Sequence, residues 1–486
     1  MPPAEPPRPF PPGEYPVIVV GSGAGGLQTS YCLSRAGVEH AVISEDDTPG
    51  GMFRKWPIYQ RLLSWTKPDA PAERCTREYE WYDHNSLVAE ERECQALVAA
   101  EMDRTFMVPS CAEMTRGLTA FADKADVAVR YGCRWESTKS GGDGFTLTTS
   151  DGEYRCRFVV FALGVTEPWK STIPGIDEVP HYAETGAAKQ YEGKSVLIIG
   201  KRNSGFELAD GLEPWARQIL LVSPRPVQTS VIALSTVRVR YYEPVEDASW
   251  GGGTFALNAA VEAIERTSTG FRMRAQGTTQ PGEIVLETDA AIAATGFRTP
   301  LRDLPDLGLA TVGDGRIPAL TPYWESTSLP GVYFAGNATQ GAAGLRKHGV
   351  GSASGTVSGF RYNARVLGRH LAQRLGSPPR LERVDGDRAA FLASELNCAP
   401  ELWTQKGYLA RALFADGTTD IVPLAHFLDN CARGSAAAVV EMNAEGEIYP
   451  VIYSRVREEI DEHVLPPHHL NDFTGEEYVR ELRSAL

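Results

Sequence analysis

The sequence predicts an α/β protein with two Rossmann-like dinucleotide-binding domains, followed by a C-terminal α+β extension. Two observations lead to this prediction. A buried strand that runs into a polar, glycine-containing loop and then a helix occurs twice, at loops that begin with Gly21 and Gly200. Several other short apolar runs end on glycine, as parallel strands do where their carboxyl ends face a nucleotide.

The first strand–loop–helix unit has the pattern of a parallel βαβ fold. Residues 15–20 form a short run rich in Val and Ile, which is typical of a strand buried on both faces. Residues 27–36 have helical spacing, and Gly37 is placed to cap the helix. Residues 41–45 form a second strand that ends on an acid. Downstream, the pattern predicts a helix over 114–125 and strands over 127–131 and 158–164.

The second unit repeats this order. The pattern predicts a strand over 195–200, a helix from 206 and a strand over 218–222. Strands over 290–296 and 331–336 and a long helix over 352–375 follow. Beyond the linker at 376–379, the last hundred residues show strand-like runs at 408–414, 438–442 and 448–453.

Composition and charge exclude several classes of function. The chain has 48 Lys and Arg against 62 Asp and Glu, a formal net charge of −14. We therefore expect no nucleic-acid partner. No apolar run approaches the roughly 20 residues that span a bilayer, so no membrane partner is expected. Residues 1–13 are rich in Pro and are interpreted as a disordered tail rather than a targeting peptide.

The cysteines predict a reduced, cytoplasmic protein. The closest of the eight in sequence are Cys94 and Cys111, so no C-x-x-C or zinc-like spacing exists. A dithiol mechanism of the thioredoxin reductase kind and a metal site are therefore not expected.

The first glycine loop predicts a dinucleotide site. Gly21 permits a tight turn, Gly23 lets backbone N–H groups approach a pyrophosphate, and Gly26 lets helix and strand pack closely. Glu45 ends the next strand about 20 residues later, where an acid binds the ribose hydroxyls. The predicted binding residues of this loop and strand are Gly21, Gly23, Ala24, Gly25, Gly26 and Glu45.

Six segments resemble, in order, those of flavin-containing monooxygenases and their YUCCA-like and Baeyer–Villiger relatives. Gly50, Gly51, Met52, Phe53 and Arg54 resemble the G-G-x-W-R segment of this family. The other matching segments are 59–64, 108–110, 200–207, 294–297 and 331–337. Together these segments lie between about residues 15 and 375, and the C-terminal extension matches no family that we can name.

The resemblance implies FAD in the first domain and NAD(P)H in the second. It implies an FAD domain over 14–165 and 297–376, an inserted NAD(P)H domain over 166–296 and an extension over 380–486. Asn337 stands where the family has an Asp at the flavin ribitol, and its amide can still bond a hydroxyl. Beyond the first loop, the residues implied for FAD are Gly51, Met52, Phe53, Arg54, Ser64, Trp65, Gly164, Gly336 and Asn337.

The second loop departs from the family at Arg202, where a glycine is usual. Either Lys201 and Arg202 add positive charge to a working phosphate site, or the loop is degenerate and binds NAD(P)H poorly. The strand after the loop ends in Ser223 and Arg225 rather than an acid, which favours NADPH over NADH. The residues implied for NADPH are Gly200, Arg202, Asn203, Ser204, Gly205, Ser223, Arg225, Thr295 and Gly296.

Three cationic side chains are the catalytic candidates. Arg54 follows the G-G-M-F segment, and Lys347 and His348 precede the last long helix, where related enzymes approach the flavin pyrimidine edge. Positive charge there would favour the reduced, anionic flavin. The alternative is that these are solvated charges on a loop.

The resemblance implies a monooxygenase that uses NADPH and dioxygen. It would insert one oxygen atom into a small organic substrate, at N, S or a ketone, through a flavin hydroperoxide. Two alternatives stay open: an NAD(P)H-dependent flavin reductase or dehydrogenase without oxygen transfer, and a flavoprotein module whose NAD(P)H site is disabled. Three roles stay open for the extension: a lid, a dimer contact or a segment that docks a partner. A homodimer is therefore one assembly that the sequence allows.

Overall fold

The computed structural model describes the chain in two compact units. One unit lies within residues 1–54, 64–165 and 299–486, and the other within 55–63 and 166–298. The described residues are 8–54, 61, 64–230, 237–251, 253–349, 351–378, 380–432, 434–456 and 459–486. Residues 1–7 of the predicted tail and most of the motif over 59–64 lie outside them. The domain boundaries predicted from the sequence stay predictions.

The first sheet has six strands, and its parallel part carries the first glycine loop. The central strand Glu14–Val20 pairs in parallel with both of its neighbours, and Val332–Phe334 pairs in parallel with Gly152–Phe161. From Val17 to Val20 the central strand is buried, as a Val- and Ile-rich strand covered on both faces should be. The strand order is His40–Ile43, Glu14–Val20, Gly152–Phe161, Gly144–Thr149 and Trp135–Gly141, with Val332–Phe334 beside Gly152–Phe161.

Four α-helices accompany this sheet. Ser110 and Glu113 form a capping box at the start of one of them, each side chain accepting a backbone N–H of the other residue. The long last helix packs against the first at Gly368, where a Cβ would lie 2.9 Å from the Cys32 carbonyl oxygen. These helices are Ala24–Arg35, Leu97–Glu101, Cys111–Lys124 and Val357–Arg374. Short 3-10 helices are Gly51–Arg54, Glu78–Tyr82, Arg92–Cys94, Gly336–Gly341 and Ala353–Gly355.

The second unit is built on another six-stranded sheet. Its parallel strands bury Val, Ile and Leu side chains, and the strands Phe271–Gly277 and Glu283–Thr288 pair antiparallel at one edge. The strand order is Glu283–Thr288, Phe271–Gly277, Thr254–Arg266, Gln218–Ser223, Ser195–Ile199 and Ala290–Ala293. Its helices are Asn203–Leu212, Val239–Trp250 and the 3-10 helices Ile176–Glu178, Tyr182–Glu184 and Ala188–Tyr191.

The C-terminal sheet is antiparallel and has helices on both faces. Successive residues of one central strand point to opposite cores: Ala436, Ala438 and Val440 to one, Ala437 and Val439 to the other. The strand order is Glu382–Arg383, Thr418–Pro423, Leu409–Leu413, Ala436–Met442, Ile448–Val456 and Glu459–Val464. The helices are Arg388–Cys398, Pro400–Thr404, Leu424–Asn430 and Glu476–Ala485.

Two-stranded pairs complete the described elements. They are Glu167–Pro168 with Phe297–Arg298, Thr229–Ser230 with Val237–Arg238, and Thr311–Val312 with Ile317–Pro318. The predicted fold class is confirmed, with two Rossmann-like sheets and an α+β extension. The strand predicted over 127–131 is wrong: only Arg130 pairs with the sheet, through a single bridge to Ile43. Among the described residues, no helix is long and apolar enough to cross a membrane.

Candidate functional site

The first glycine loop has the geometry of a dinucleotide-binding turn. Gly21 has φ +114°, a conformation that side chains other than glycine rarely adopt, and its N–H donates to the Ile43 carbonyl. A Cβ on Gly26 would lie 1.9 Å from the Gly21 carbonyl oxygen, so strand and helix touch through these two glycines. Gly23 stands before the helix and has no side chain to cap it. The first-turn N–H groups are therefore available to an anion.

Two further glycine segments close on this loop. A Cβ on Gly25 would lie 2.5 Å from the Gly336 Cα, and a Cβ on Gly51 would lie 3.2 Å from the Gly23 Cα. Gly51 and Gly336 both have positive φ. The first glycine loop, Gly51 and Gly336 thus lie together, and each was predicted from the sequence as part of one cofactor site.

Glu45 lies at the carboxyl edge of the first sheet, just beyond the strand His40–Ile43. Its carboxylate is 3.3 Å from the Arg302 guanidinium. The hydroxyls of Ser22 and Ser44 hydrogen-bond at 2.8 Å and join the glycine loop to the end of this strand. The acid predicted for the ribose hydroxyls therefore lies just after the strand next to the loop, as in a dinucleotide-binding fold.

The segments predicted beside the flavin ring are held by local hydrogen bonds. Arg54 is exposed and its Nε donates to the Pro49 carbonyl at 2.7 Å. The Ser64 carbonyl accepts a hydrogen bond from Asn85, and the Trp65 ring packs on His84 with centroids 4.7 Å apart. Met52 and Phe53 are half-buried in the 3-10 helix Gly51–Arg54, and Gly164 has φ +71° just after the strand Gly152–Phe161.

Asn337 provides a test of whether the site fits FAD. Its side-chain oxygen is buried, and no donor reaches it within the part of the chain that the structure describes. A buried acceptor without a donor costs free energy, so it points to a missing partner. A sugar-alcohol hydroxyl is such a donor, and the residues present therefore fit the ribitol of FAD.

A buried polar chain supports the backbone at Gly336. The Thr339 hydroxyl donates to the Gly336 carbonyl at 2.6 Å, and the Asn363 amide donates to the Thr339 hydroxyl at 3.0 Å. The Gln405 amide in turn donates to the Asn363 side-chain oxygen and to Ser354. Gln405 lies just after the helix Pro400–Thr404, so the C-terminal extension contributes to the support of the predicted ribitol segment.

The structure places Lys347 and His348 against the C-terminal sheet. The Lys347 ammonium hydrogen-bonds the Glu441 carboxylate at 3.3 Å and also reaches Glu462. Burial lowers the pKa of Lys347, but the two carboxylates outweigh burial and raise it. His348 Nε2 and the Tyr449 hydroxyl hydrogen-bond at 2.7 Å. A role for either residue at the flavin stays a prediction, and sequence reasoning missed their partners about a hundred residues away.

We expect Lys347→Met to destabilise the protein because it leaves the carboxylate of Glu441, which is 4% exposed, without its cation. Because Lys347 itself is partly exposed, the expected loss is about 1–2 kcal/mol, below that for a fully buried pair. Thermal and urea unfolding of the full chain measure it. Arg346→Met is the matched control, since Arg346 is exposed and hydrogen-bonds only its neighbouring loop at Ala343 in the described structure. Unchanged unfolding with slower flavin reduction in Lys347→Met would instead favour a role at the flavin.

The second loop repeats the first loop's backbone geometry. Gly200 has φ +122° and donates its N–H to the Val222 carbonyl, as Gly21 does to Ile43. A Cβ on Gly205 would lie 2.1 Å from the Gly200 carbonyl oxygen, the same contact that Gly26 makes. The helix Asn203–Leu212 begins directly after the loop. The backbone of a dinucleotide-binding turn is therefore retained.

Arg202 occupies the position that Gly23 has in the first loop. Its backbone is extended, with φ −109° and ψ −166°, and its side chain is exposed. A Cβ at the equivalent Gly23 would meet no atom within 4 Å, which explains why the turn accepts a side chain here. Lys201 is buried against Asn258, and burial lowers its pKa to about 8. Ser223 ends the strand Gln218–Ser223, and Arg225 is exposed two residues later.

The remaining predicted residues of this unit form a hydrogen-bonded turn. The Thr295 hydroxyl donates to the Trp169 carbonyl, and the Gly296 carbonyl accepts the Trp169 N–H. His181 is fully buried and its Nε2 also hydrogen-bonds the Gly296 carbonyl, at 2.9 Å. Burial lowers the pKa of His181. These contacts are those of a structural histidine, and they fix the turn at Gly296, where φ is +97°.

Comparisons with known proteins agree with this architecture. The sequence pattern of the pyridine nucleotide-disulphide oxidoreductase family matches residues 18–336. A zebrafish FAD-dependent oxidoreductase domain-containing protein 2 is 25% identical over 411 residues, 73% of this chain and 58% of its own length. The chain therefore spans less than two thirds of that relative. A probable indole-3-pyruvate monooxygenase of Arabidopsis thaliana, YUCCA9, is 26% identical over 40% of this chain and 43% of its own.

Reductases are also among the relatives. A ferredoxin–NADP reductase of Thermus thermophilus is 30% identical over 46% of this chain and 66% of its own. Among solved structures, a flavin-containing monooxygenase from Stenotrophomonas maltophilia has a TM-score of 0.57 at 20% identity, covering 75% of this chain and 99% of its own.

At that identity the structural likeness shows the fold alone. The family pattern covers both glycine loops and ends at Gly336, so it takes in each part of the two dinucleotide turns described above. The resemblance to the flavin monooxygenase-like flavoproteins is confirmed, and the chain belongs to the pyridine nucleotide-disulphide oxidoreductase family.

Proposed function

We propose that this protein is an FAD-dependent monooxygenase that consumes NADPH and dioxygen and transfers one oxygen atom to a small organic substrate. The observation that carries the proposal is the pair of glycine loops with matching backbone geometry at Gly21 and Gly200. Two such turns on one chain allow one dinucleotide to reduce another. The G-G-M-F-R segment and the YUCCA relative favour oxygen transfer over plain reduction.

The chain's own residues supply binding and orientation. The N–H groups of residues 24–26 would hold the pyrophosphate of FAD. Glu45 would accept hydrogen bonds from the ribose hydroxyls, and Asn337 would accept one from a ribitol hydroxyl. FAD supplies, when bound, the hydride acceptor and the centre that activates dioxygen. The polar chain from Gln405 to Gly336 keeps this part of the cradle in place.

A disulfide-reducing mechanism is not favoured, although the family name includes it. All eight cysteines belong to the described residues and each is a free thiol. Cys111 hydrogen-bonds a predicted flavin segment, through the Phe53 carbonyl at 2.8 Å. Because the sequence has no closely spaced cysteine pair, a dithiol relay of the C-x-x-C type has no support.

Product analysis under isotopically labelled dioxygen tests the proposal. The full chain is mixed with NADPH and a panel of amines, sulfides and ketones. We expect one labelled oxygen atom in the product for each NADPH consumed. NADPH consumption that yields only hydrogen peroxide would indicate the reductase alternative. Bound FAD that neither NADPH nor NADH reduces would indicate the flavoprotein module with a disabled second site.

The preference for NADPH rests on Arg225. Arg225 lies two residues after the strand Gln218–Ser223, which ends without an acid, and its side chain is exposed. Its guanidinium can therefore pair with the 2′-phosphate of NADPH. We expect Arg225→Ala to raise the KM for NADPH about tenfold and to leave that for NADH unchanged, since one charged hydrogen bond is lost. Steady-state flavin reduction measures both constants. Arg217→Ala, which removes an exposed partner of Asp289 in the same unit, is the control. Equal KM changes for the two nicotinamides would contradict the assignment.

A further inference from the structure

A cavity in the C-terminal part of the chain is lined by none of the residues predicted for either dinucleotide. It has a volume of about 260 Å³ and lies between the long helix Val357–Arg374 and the part of the C-terminal extension that contains Thr418–Pro423 and Leu424–Asn430. This volume is just below the range typical of drug-sized ligands and far larger than one water molecule needs. A compact molecule of a few functional groups would fill it, whereas a dinucleotide would not.

An ion pair faces this cavity. The Arg369 guanidinium is 3.2 Å from the Asp420 carboxylate, and the two side chains are 33% and 20% exposed. Arg369 Nε is buried, and no acceptor reaches it among the residues that the structure describes. Asp420 therefore leaves the five-donor guanidinium of Arg369 incompletely paired, and this guanidinium can take a second, anionic partner from the cavity.

The other polar groups of the cavity wall are uncharged near neutral pH. The Tyr323 ring stacks on His370 with centroids 4.2 Å apart and meets His426 edge-on at 4.7 Å. Burial lowers the pKa of both imidazoles, that of His370 to about 4. Within the described lining, the formal charges at neutral pH are those of Arg369 and Asp420.

Apolar side chains make up most of the rest of the wall. Val366 and Phe427 are buried, and Leu381 and Ile421 are half-buried at the cavity surface. A ligand that filled this volume would therefore remove aliphatic and aromatic surface from water as well as meet the two charges. The cavity joins one positive group, one negative group and an apolar wall.

We propose that this cavity binds a small zwitterion with an apolar side chain, of the class of free α-amino acids. Its carboxylate would pair with the Arg369 guanidinium, its ammonium would donate to Asp420, and its side chain would pack on the apolar wall. A ligand with a single charge would satisfy one member of the ion pair and face the like charge of the other. The proposal is independent of the FAD-dependent reaction, because the cavity shares no residue with the predicted cofactor sites.

Calorimetric titration of the full chain tests this proposal. The probes are L-phenylalanine and L-leucine, with phenylpropanoate and phenethylamine as analogues that each keep one charge. We expect at least one amino acid to bind in the micromolar to millimolar range, and both analogues to bind at least about tenfold more weakly. The proposal is overturned if neither amino acid binds at concentrations up to about 10 mM, which means a binding free energy weaker than about 3 kcal/mol. It is also overturned if phenylpropanoate binds as tightly as L-phenylalanine.

Variants locate the site. We expect Arg369→Gln and Asp420→Asn each to weaken amino-acid binding at least about tenfold, as the loss of a charged hydrogen bond does. Arg374→Gln is the matched control, since Arg374 lies on the same helix, pairs with Glu325 and does not line the cavity. Circular dichroism and flavin content show that each variant is folded. Unchanged binding in folded Arg369→Gln would place the amino acid elsewhere and refute the assignment.

Discussion

Gly26→Val will yield a protein that does not retain FAD. Even the Cβ of a side chain here would lie 1.9 Å from the Gly21 carbonyl oxygen, so the strand and helix must move apart. The first-turn N–H groups that would hold the pyrophosphate move with the helix. The expected loss of FAD affinity is at least about a thousandfold, since it combines strain of the turn with loss of several charged hydrogen bonds. Flavin absorbance per chain after gel filtration measures it.

Gly141→Val is the matched control for this substitution. Gly141 ends the strand Trp135–Gly141 of the same sheet, and a Cβ there would meet nothing within 4 Å. This variant should remain yellow and bind FAD like the unaltered chain. A Gly26→Val protein with normal flavin content would show that the turn at residues 21–26 does not hold the cofactor.

Asn337→Leu will weaken FAD binding without lowering the stability of the apoprotein. The Asn337 side-chain oxygen is buried and has no donor in the described structure, so its removal takes away no hydrogen bond seen there. It does take away the acceptor for a ribitol hydroxyl. We expect the Kd for FAD to rise about tenfold to a hundredfold, while the free energy of unfolding of the apoprotein stays equal or rises. Fluorescence titration with FAD and urea unfolding of apoprotein measure the two effects.

Asn337→Asp is the rescuing variant for the same position. A carboxylate keeps the acceptor and should retain most of the FAD affinity. If Asn337→Leu destabilised the apoprotein as much as it weakened FAD binding, the side chain would be a packing residue and not a ligand of the cofactor.

Local signals in the sequence were enough to predict the two dinucleotide turns. The strand–glycine–helix order at Gly21 is a short-range pattern, and the contact of Gly26 with Gly21 is the one that the pattern implies. The meeting of Gly51 and Gly336 with this loop followed only from the resemblance, because segments so distant in sequence show no spacing of their own. The sequence does not indicate whether Arg202 permits NADPH binding, since the position before the helix is extended in both loops and accepts glycine or arginine.

The C-terminal extension was the least predictable part. The strand Glu459–Val464 is mostly exposed and carries several charges, so it has no hydrophobic run to mark it. It forms because it pairs along the edge of Ile448–Val456. The prediction of a strand over 127–131 was wrong for the opposite reason. Its apolar residues suggest a strand, but Arg130 alone of these five residues pairs with the sheet.

The partners of Lys347 show the same limit at the level of a site. Glu441 and Glu462 lie on two strands of the C-terminal sheet, about a hundred residues further along the chain. Only tertiary structure brings these carboxylates to the loop that the sequence placed near the flavin. A cation on a loop therefore gave no sign of whether it faced a cofactor or an acidic sheet.

We expect residues 21–26, Glu45, Gly51 and Asn337 to form an FAD site, and the cofactor content of the purified full chain tests this site most directly. Flavin released by heat from the folded protein is identified by chromatography and counted against the protein concentration. We expect FAD at a ratio near one per chain. A folded, colourless protein that does not bind added FAD would contradict it.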